Sequence, residues 1–186
     1  SSYQSEIAGS EHATQIVQNQ VKTSRGNLSN LYGDLGHVSW QNLPGSIAEV
    51  QNIKNISTNA TIFTGEEVSE ERLKELNQQN KLKNYQILHF ATHGLFVPDI
   101  PELSAIVLSQ FNQPNQKEDG YLSIAEIAQL KLNADFVNLS ACETGLGKVY
   151  IGEGMTGLTQ AFLLAGSNGV SVSLWKVDDK GTALFM

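Results

Sequence analysis

Continuous apolar blocks alternate with segments of helical periodicity along most of the chain. The apolar blocks predict strands at 60–65, 85–93, 104–110, 135–141 and 168–175. Apolar residues at intervals of three or four positions predict helices around 47–56, 66–80, 119–132 and 152–166. Apolar strands that alternate with helices are typical of a parallel sheet with helices on both faces. The pattern therefore predicts an α/β domain, a three-layer sandwich with a mainly parallel sheet.

Two of the predicted helices have recognisable ends. Ser69 stands before a segment whose first turn is rich in Glu, which suits both an N-cap and the helix dipole. Gly166 follows the last apolar residues of the helix at 152–166 and is the predicted C-terminal stop.

The first 42 residues differ in composition from the rest. Residues 1–42 are rich in Ser, Gln, Asn and Gly, so we interpret them as a linker or a domain edge before a domain at 43–186. The chain does not begin with Met, and its last nine residues have the pattern of a helix start. We therefore expect a fragment of a longer protein, with the domain truncated at its C-terminus.

Composition excludes several classes of protein. Of the 186 residues, 40% are hydrophobic and 17% charged, and the net charge of −7 comes without a Lys/Arg cluster for nucleic acid. One cysteine rules out an internal disulfide and fits a reducing compartment. No apolar run approaches roughly 18 residues, and no signal-peptide pattern opens the chain. We expect a cytoplasmic protein that binds neither nucleic acid nor membrane.

Two predicted strands lead to residues suited to nucleophilic catalysis. The strand 85–93 ends at His93, before Gly94, and the strand 135–141 is followed by Cys142, the single cysteine. Because ligands bind beyond the carboxyl ends of parallel strands, His93 and Cys142 meet there if their strands are neighbours. A histidine within reach can take the proton of a thiol and return it to a leaving amine. The N–H groups of Gly94 and Cys142 can face a developing oxyanion.

The blocks around these residues resemble the CHAT domain. They are "LHFATHG", "VNLSACETG", "GEGMTGLTQAFLLAG" and "VSLWKVDD", and the resemblance extends over roughly 43–186. This family is related to caspases, metacaspases and separase. The resemblance implies a caspase-like fold and a cysteine endopeptidase without metal or cofactor. By the same resemblance, His93 is the general base, Cys142 the nucleophile, and Gly94 and the Cys142 amide the oxyanion hole.

The resemblance also implies a substrate pocket and partners. In caspase-like folds the strand after the helix of the nucleophile lines the pocket, and here Trp175 would form a wall. Asp178 or Asp179 would pair with Arg or Lys of a protein or peptide substrate, although both also suit a helix N-cap. Glu143 either tunes the site or is solvated. A helical-repeat sensor module, fused or bound, is the expected partner.

Other interpretations remain open at the level of sequence. A single cysteine after a strand is often only a small buried residue, and the same fold can serve as a catalytically silent scaffold for signalling. "GEGMTG" at 152–157, with Asp178 beyond it, fits a dinucleotide fingerprint, but it does not follow a strand directly. His89, His93 and Cys142 could bind zinc, whereas we interpret His89 as a core or supporting residue. "TGLGKVY" lacks the spacing of a P-loop.

Overall fold

The helices and strands follow the predicted alternation only in part, because four strands between residues 87 and 123 succeed one another with no α-helix among the described residues there. The computed structural model describes residues 40, 42–57, 59–97, 101–109, 119–140, 142–143 and 153–172. Four α-helices lie in these ranges: α1 Pro44–Ile56, α2 Glu70–Gln78, α3 Ile124–Ile127 and α4 Glu153–Leu164. The strands there are β1 Ile87–Phe90, β2 His93–Leu95, β3 Ala105–Val107, β4 Tyr121–Ser123, β5 Phe136–Leu139, β6 Cys142–Glu143 and β7 Val170–Val172. Single 3-10 turns lie at Gly65–Glu67, Lys81–Asn84 and Pro101–Leu103.

A parallel sheet of three strands has the order β1-β5-β7. Strands β1 and β5 pair from Ile87 with Phe136 to Phe90 with Leu139. The condition under which His93 and Cys142 could meet, that their strands are neighbours, is therefore fulfilled by these two strands. Alternate residues of the sheet belong to the apolar core, where Phe90 packs on Phe162 of α4 with ring centroids 5.6 Å apart. The opposite face of β1 contacts Glu49 of α1 through His89.

A second, mixed sheet has the order β4-β3-β2-β6. Its outer pair β2 and β6 is parallel, whereas β2–β3 and β3–β4 are antiparallel. The expected single strand at 85–93 is therefore wrong in one respect: it ends at Phe90 and resumes in the other sheet at His93. The hydroxyl of Thr92 donates to the carbonyl of Val107 at this break.

Two further sequence predictions need correction. The strand expected at 60–65 is wrong: residues 60–64 have no strand pairing and Gly65 begins a 3-10 turn. Residues 60–63 and β1 line a common cavity of about 700 Å³. The turn expected before the helix at 119–132 contains a strand, β4, and that helix ends after one turn. The capping box of Ser123 and Glu126, in which each side chain bonds the other's backbone N–H, opens α3 directly after β4.

The predicted helix ends are confirmed. Ser69 accepts the N–H of Arg72 at 3.1 Å as the N-cap of α2. Gly166 follows α4 with φ of +109°, and a Cβ there would lie 2.5 Å from the carbonyl oxygen of Leu132. The turn after α4 therefore requires glycine both for its backbone angle and for the close approach.

Candidate catalytic site

His93 and Cys142 are register partners on neighbouring parallel strands of the mixed sheet. The strands that precede them, β1 and β5, pair in the same sense up to Phe90 with Leu139. Register partners are 49 positions apart both in β1–β5 and in β2–β6. The two chain segments therefore keep the same register on both sides of the break between the sheets. Because neighbouring strands lie about 4.8 Å apart, this register brings the backbones of the two predicted reactive residues side by side.

The imidazole of His93 is buried against an indole. His93 is 6% exposed, and its ring centroid lies 5.1 Å from that of Trp40, with the two planes inclined at 38°. Nε1 of Trp40 donates a hydrogen bond of 2.9 Å to the hydroxyl of Tyr121. Tyr121 pairs in register with Val107, which pairs with His93. Trp40 therefore bridges two side chains that stand two strands apart, and it packs against the imidazole.

The other sequence-predicted site residues fall into two groups. Gly94 is buried in β2 and is the register partner of Glu143. Trp175, Asp178 and Asp179 lie outside the described residues. The substrate-binding role of these three residues stays a prediction.

His89 belongs to the parallel sheet and has different neighbours from His93. The two histidines lie on different strands, because the chain leaves β1 after Phe90 and His93 begins β2. His89 Nε2 lies 2.7 Å from a carboxylate oxygen of Glu49, and its Nδ1 lies 2.9 Å from Nδ2 of Asn138. Both ring nitrogens are thus engaged in a supporting contact, which agrees with the interpretation of His89 as a core or supporting residue.

A row of polar side chains continues from His89 across the parallel sheet. His89 pairs in register with Asn138, and Asn138 pairs with Ser171, whose hydroxyl donates to the amide oxygen of Asn138. Glu49, only 2% exposed, also accepts a 3.1 Å hydrogen bond from the hydroxyl of Ser140. This buried carboxylate therefore ties α1 both to β1 and to the residue that follows β5, two positions before Cys142.

A second buried carboxylate supports the mixed sheet. Glu70 of α2 accepts the N–H of Gly120, just before β4, at 3.1 Å, and it also contacts Nζ of Lys74. Lys74 lies 3.0 Å from Glu126 as well. Burial raises the pKa of Glu70 to about 7, against the opposing effect of Lys74, and the charge of Glu126 adds to the rise.

The pKa values of the charged residues near Glu70 are shifted as well. Burial alone lowers the pKa of Lys74, but hydrogen bonds to Glu70 and Glu126 outweigh burial and raise it. Burial would raise the pKa of Glu126, but hydrogen bonds from the backbone and side chain of Ser123, with Lys74, lower it. Burial also raises the pKa of Asp119, which accepts the N–H of Tyr121. The three carboxylates and one ammonium form a compact cluster at the entry to β4.

The geometry bears on two of the open alternatives. Zinc binding by His89 and His93 would require His89 to give up Glu49 or Asn138, and the two histidines lie in different sheets. Within the described ranges, no group of three or more His, Cys, Asp and Glu is arranged to hold a metal. The last five residues of "GEGMTG" lie inside α4. A Cβ on Gly157 would lie 2.7 Å from Cδ1 of Ile124, so this glycine serves helix packing against α3.

Sequence reasoning missed several residues around the site. Asn138 and Ser171 alternate with apolar residues in β5 and β7, a period-two pattern of polar positions that signals a second face. Glu49 offers a weaker signal, since a single acid on a helix usually faces water. Trp40 lies in a segment interpreted as a linker, and one aromatic residue there gives no indication of its partner.

Comparison with known proteins identifies the family. The model of the CHAT domain matches residues 2–186, nearly the whole chain. The searches of curated proteins and of solved structures found no match to this chain. Among the described helices, none combines the length and apolarity needed to cross a bilayer. With the strand alternation, the parallel sheet and a match of this extent, the chain belongs to the CHAT domain family, which is related to the caspase-like cysteine peptidases.

Proposed function

We propose that this domain is a cysteine endopeptidase in which His93 and Cys142 form the catalytic dyad. The observation that carries the proposal is the register of β2 and β6, which makes the two residues partners on adjacent parallel strands. Membership of the CHAT family supports the same chemistry. The complete caspase-like three-layer arrangement and a helical-repeat sensor module belong to the same proposal.

The proposed reaction proceeds in two halves. His93 takes the thiol proton of Cys142, the sulfur attacks the scissile carbonyl carbon, and the carbonyl electron pair moves to oxygen. The N–H groups of Gly94 and Cys142 stabilise this oxyanion, each worth roughly 3 kcal/mol of the barrier. Collapse breaks the C–N bond as His93 gives its proton to the leaving amine. Water, deprotonated by His93, then attacks the thioester, releasing the carboxylic acid and regenerating the thiol.

Burial of His93 fits its role as the base. An imidazole that is shielded from water interacts more strongly with a neighbouring thiolate than an exposed imidazole does. Partial exclusion of water also protects a thioester from unassisted hydrolysis.

The proposed substrate is a protein or peptide with Arg or Lys before the scissile bond. Asp178 and Asp179 carry this part of the proposal, since carboxylates recognise guanidinium and ammonium groups. Cleavage of a randomised peptide library tests it, with Asp178→Asn and Asp179→Asn as variants. The assignment is supported if the wild-type domain prefers Arg or Lys before the cleaved bond and either variant prefers them less. Cleavage of the library without a preference for basic residues contradicts it.

The dyad is tested with Cys142→Ala and His93→Ala, assayed on the same peptide library. His89→Ala is the matched control, because His89 is a partly buried histidine four residues away that belongs to the other sheet. We expect both dyad variants to lose cleavage while the control retains it per folded molecule. Cleavage at the wild-type rate in either dyad variant sinks the peptidase assignment.

A thiol-reactive peptide probe separates the enzyme from the scaffold alternative. Since Cys142 is the only cysteine, labelling reports on a single site. Labelling that requires His93 supports the enzyme. An unlabelled, folded protein supports the catalytically silent scaffold.

A further inference from the structure

Trp40 is an isolated aromatic residue before α1 that reaches into the mixed sheet. Its indole contacts two rings: His93 at 5.1 Å and Tyr121 at 6.4 Å between centroids. The hydrogen bond from Nε1 to the hydroxyl of Tyr121 directs the indole. A simple apolar plug would not need this directional bond, so the orientation of the indole itself calls for an explanation.

The residue that binds the indole of Trp40, Tyr121, is fully buried within the mixed sheet. Tyr121 has no exposed surface and stands in register two strands from His93, with Val107 between them. Two strand spacings amount to about 10 Å, which an indole spans when one end bonds to the phenol. The tilt of 63° between indole and phenol is an edge-to-face arrangement, which aromatic pairs favour. The frame that fixes Trp40 is thus the same sheet that carries His93.

The contact with His93 has an electrostatic consequence. A cation within about 6 Å of an aromatic centroid is attracted by the ring, most strongly by Trp. The imidazole at 5.1 Å meets this condition whenever it is protonated. Burial acts in the opposite direction, because it disfavours the charged ring. The indole would therefore offset part of the burial cost at the moment when His93 carries a proton.

We propose that Trp40 is a positioning residue for His93, holding the imidazole in place and stabilising its protonated form. The proposal deepens the proposed function, because a stabilised imidazolium favours the thiolate of Cys142. Tyr121 contributes indirectly by fixing the indole. The titratable residues placed around His93 by register are Cys142 and Glu143 on the adjacent strand β6 and Tyr121 two strands away on β4.

The test is an NMR titration of the His93 imidazole in the 186-residue chain, assigned with His93→Gln. Trp40→Leu keeps an apolar side chain over His93 but removes the aromatic face. We expect it to lower the pKa of His93 by about half a unit to one unit. Trp40→Phe, which keeps an aromatic face, should restore most of the shift. Tyr121→Phe removes only the hydroxyl and should lower the pKa by less than Trp40→Leu.

The outcomes separate this proposal from the dyad. An unchanged or raised His93 pKa in Trp40→Leu overturns the role of Trp40, as does a Trp40→Phe variant that behaves like Trp40→Leu. The pH profile of Cys142 alkylation by iodoacetamide is measured in parallel. If His93→Ala leaves its midpoint unchanged, the dyad is wrong, while the titration still decides the role of Trp40. With the dyad intact, Trp40→Leu should raise the alkylation midpoint.

Discussion

The two sheets each hold one histidine, four residues apart in sequence, in opposite kinds of surroundings. His89, in the parallel sheet, is fixed by a carboxylate and an amide. His93, in the mixed sheet, lies against an indole. The sheets also each have a buried carboxylate from a helix, Glu49 for the parallel sheet and Glu70 for the mixed one.

The difference lies in what each contact does to the ring proton. Ser171 donates to Oδ1 of Asn138, so Nδ2 of Asn138 donates to Nδ1 of His89. The ring hydrogen of His89 then lies on Nε2 and points to Glu49. This chain of bonds fixes one tautomer and makes His89 a structural link. The contact at His93 is of another kind, because an indole face interacts with the charge of the imidazole ring and does not select one ring nitrogen.

The largest expected effect comes from replacing each histidine by alanine. His93→Ala should lower the rate of peptide cleavage by about 10² to 10⁴-fold, the usual contribution of a general base. His89→Ala should leave the rate per folded molecule within a few-fold of wild type. The measurement is kcat/KM on a common peptide, corrected for the folded fraction. Equal decreases of kcat/KM in the two variants would contradict different roles for the two histidines.

The next effect concerns stability and has the reverse order. His89→Ala leaves the buried carboxylate of Glu49 without one of its partners, which should lower the free energy of unfolding by about 2–3 kcal/mol. The double variant with Glu49→Gln should recover part of this loss, because the charge is then absent. Urea denaturation measures both. Loss of stability in the double variant equal to the sum of the two single losses would contradict the link.

A smaller effect is expected from pH at the other buried carboxylate. The folded pKa of Glu70, about 7, lies above the ordinary 4.5, so the folded state holds its proton more tightly. Its contribution to stability is therefore present below pH 4.5 and is lost as pH rises to about 7. In Glu70→Gln, the free energy of unfolding should therefore fall by on the order of 1–2 kcal/mol less than in wild type between pH 4.5 and 7.

The control for Glu70 is Glu75→Gln on the same helix. Glu75 is exposed and paired with Arg72, which lowers its pKa, so its titration lies below pH 4.5. Unfolding measured from pH 4.5 to 7 should show the wild-type slope in Glu75→Gln and a flatter slope in Glu70→Gln. If Glu70→Gln shows the wild-type slope, the pH dependence of unfolding comes from groups other than Glu70.

The smallest effect tests the outer end of the polar row. Ser171→Ala removes one hydroxyl that donates to Asn138, and should cost about 0.5–1 kcal/mol of unfolding free energy. Cleavage should not change, since the row belongs to the parallel sheet. Thermal denaturation and the peptide assay together check this, and a cleavage defect at full stability would mean that the two sheets communicate.

The sequence was informative where local chemistry determines the structure. Ser69 and Gly166 marked their helix ends, and the apolar blocks marked β1 and β5 as strands without showing that they pair. The split at Phe90 was not visible, because "ILHFATHGL" is continuous in character and only pairing with Val107 and Cys142 separates its halves. Strand β4 was hidden for a similar reason, since three residues before a capped helix carry no periodicity.

Long-range polar partners were equally hidden. Glu49 and His89 are 40 positions apart, and Trp40 and Tyr121 are 81 apart. No local pattern encodes such pairs, because each depends on how α1 and its preceding segment lie against the sheets. The pairing of His93 with Cys142 could be anticipated on the condition that their strands are neighbours, since it requires no partner from elsewhere.

Register partners are 49 positions apart both before and after the break between the sheets, so the two connecting segments must have equal lengths. Two residues separate Phe90 from His93, and two separate Leu139 from Cys142. Inserting one residue into either gap would slip the pairing by one and exchange the faces on which residues project. Matching insertions in both gaps would restore the pairing of His93 with Cys142. Gaps of this kind can change in length only together.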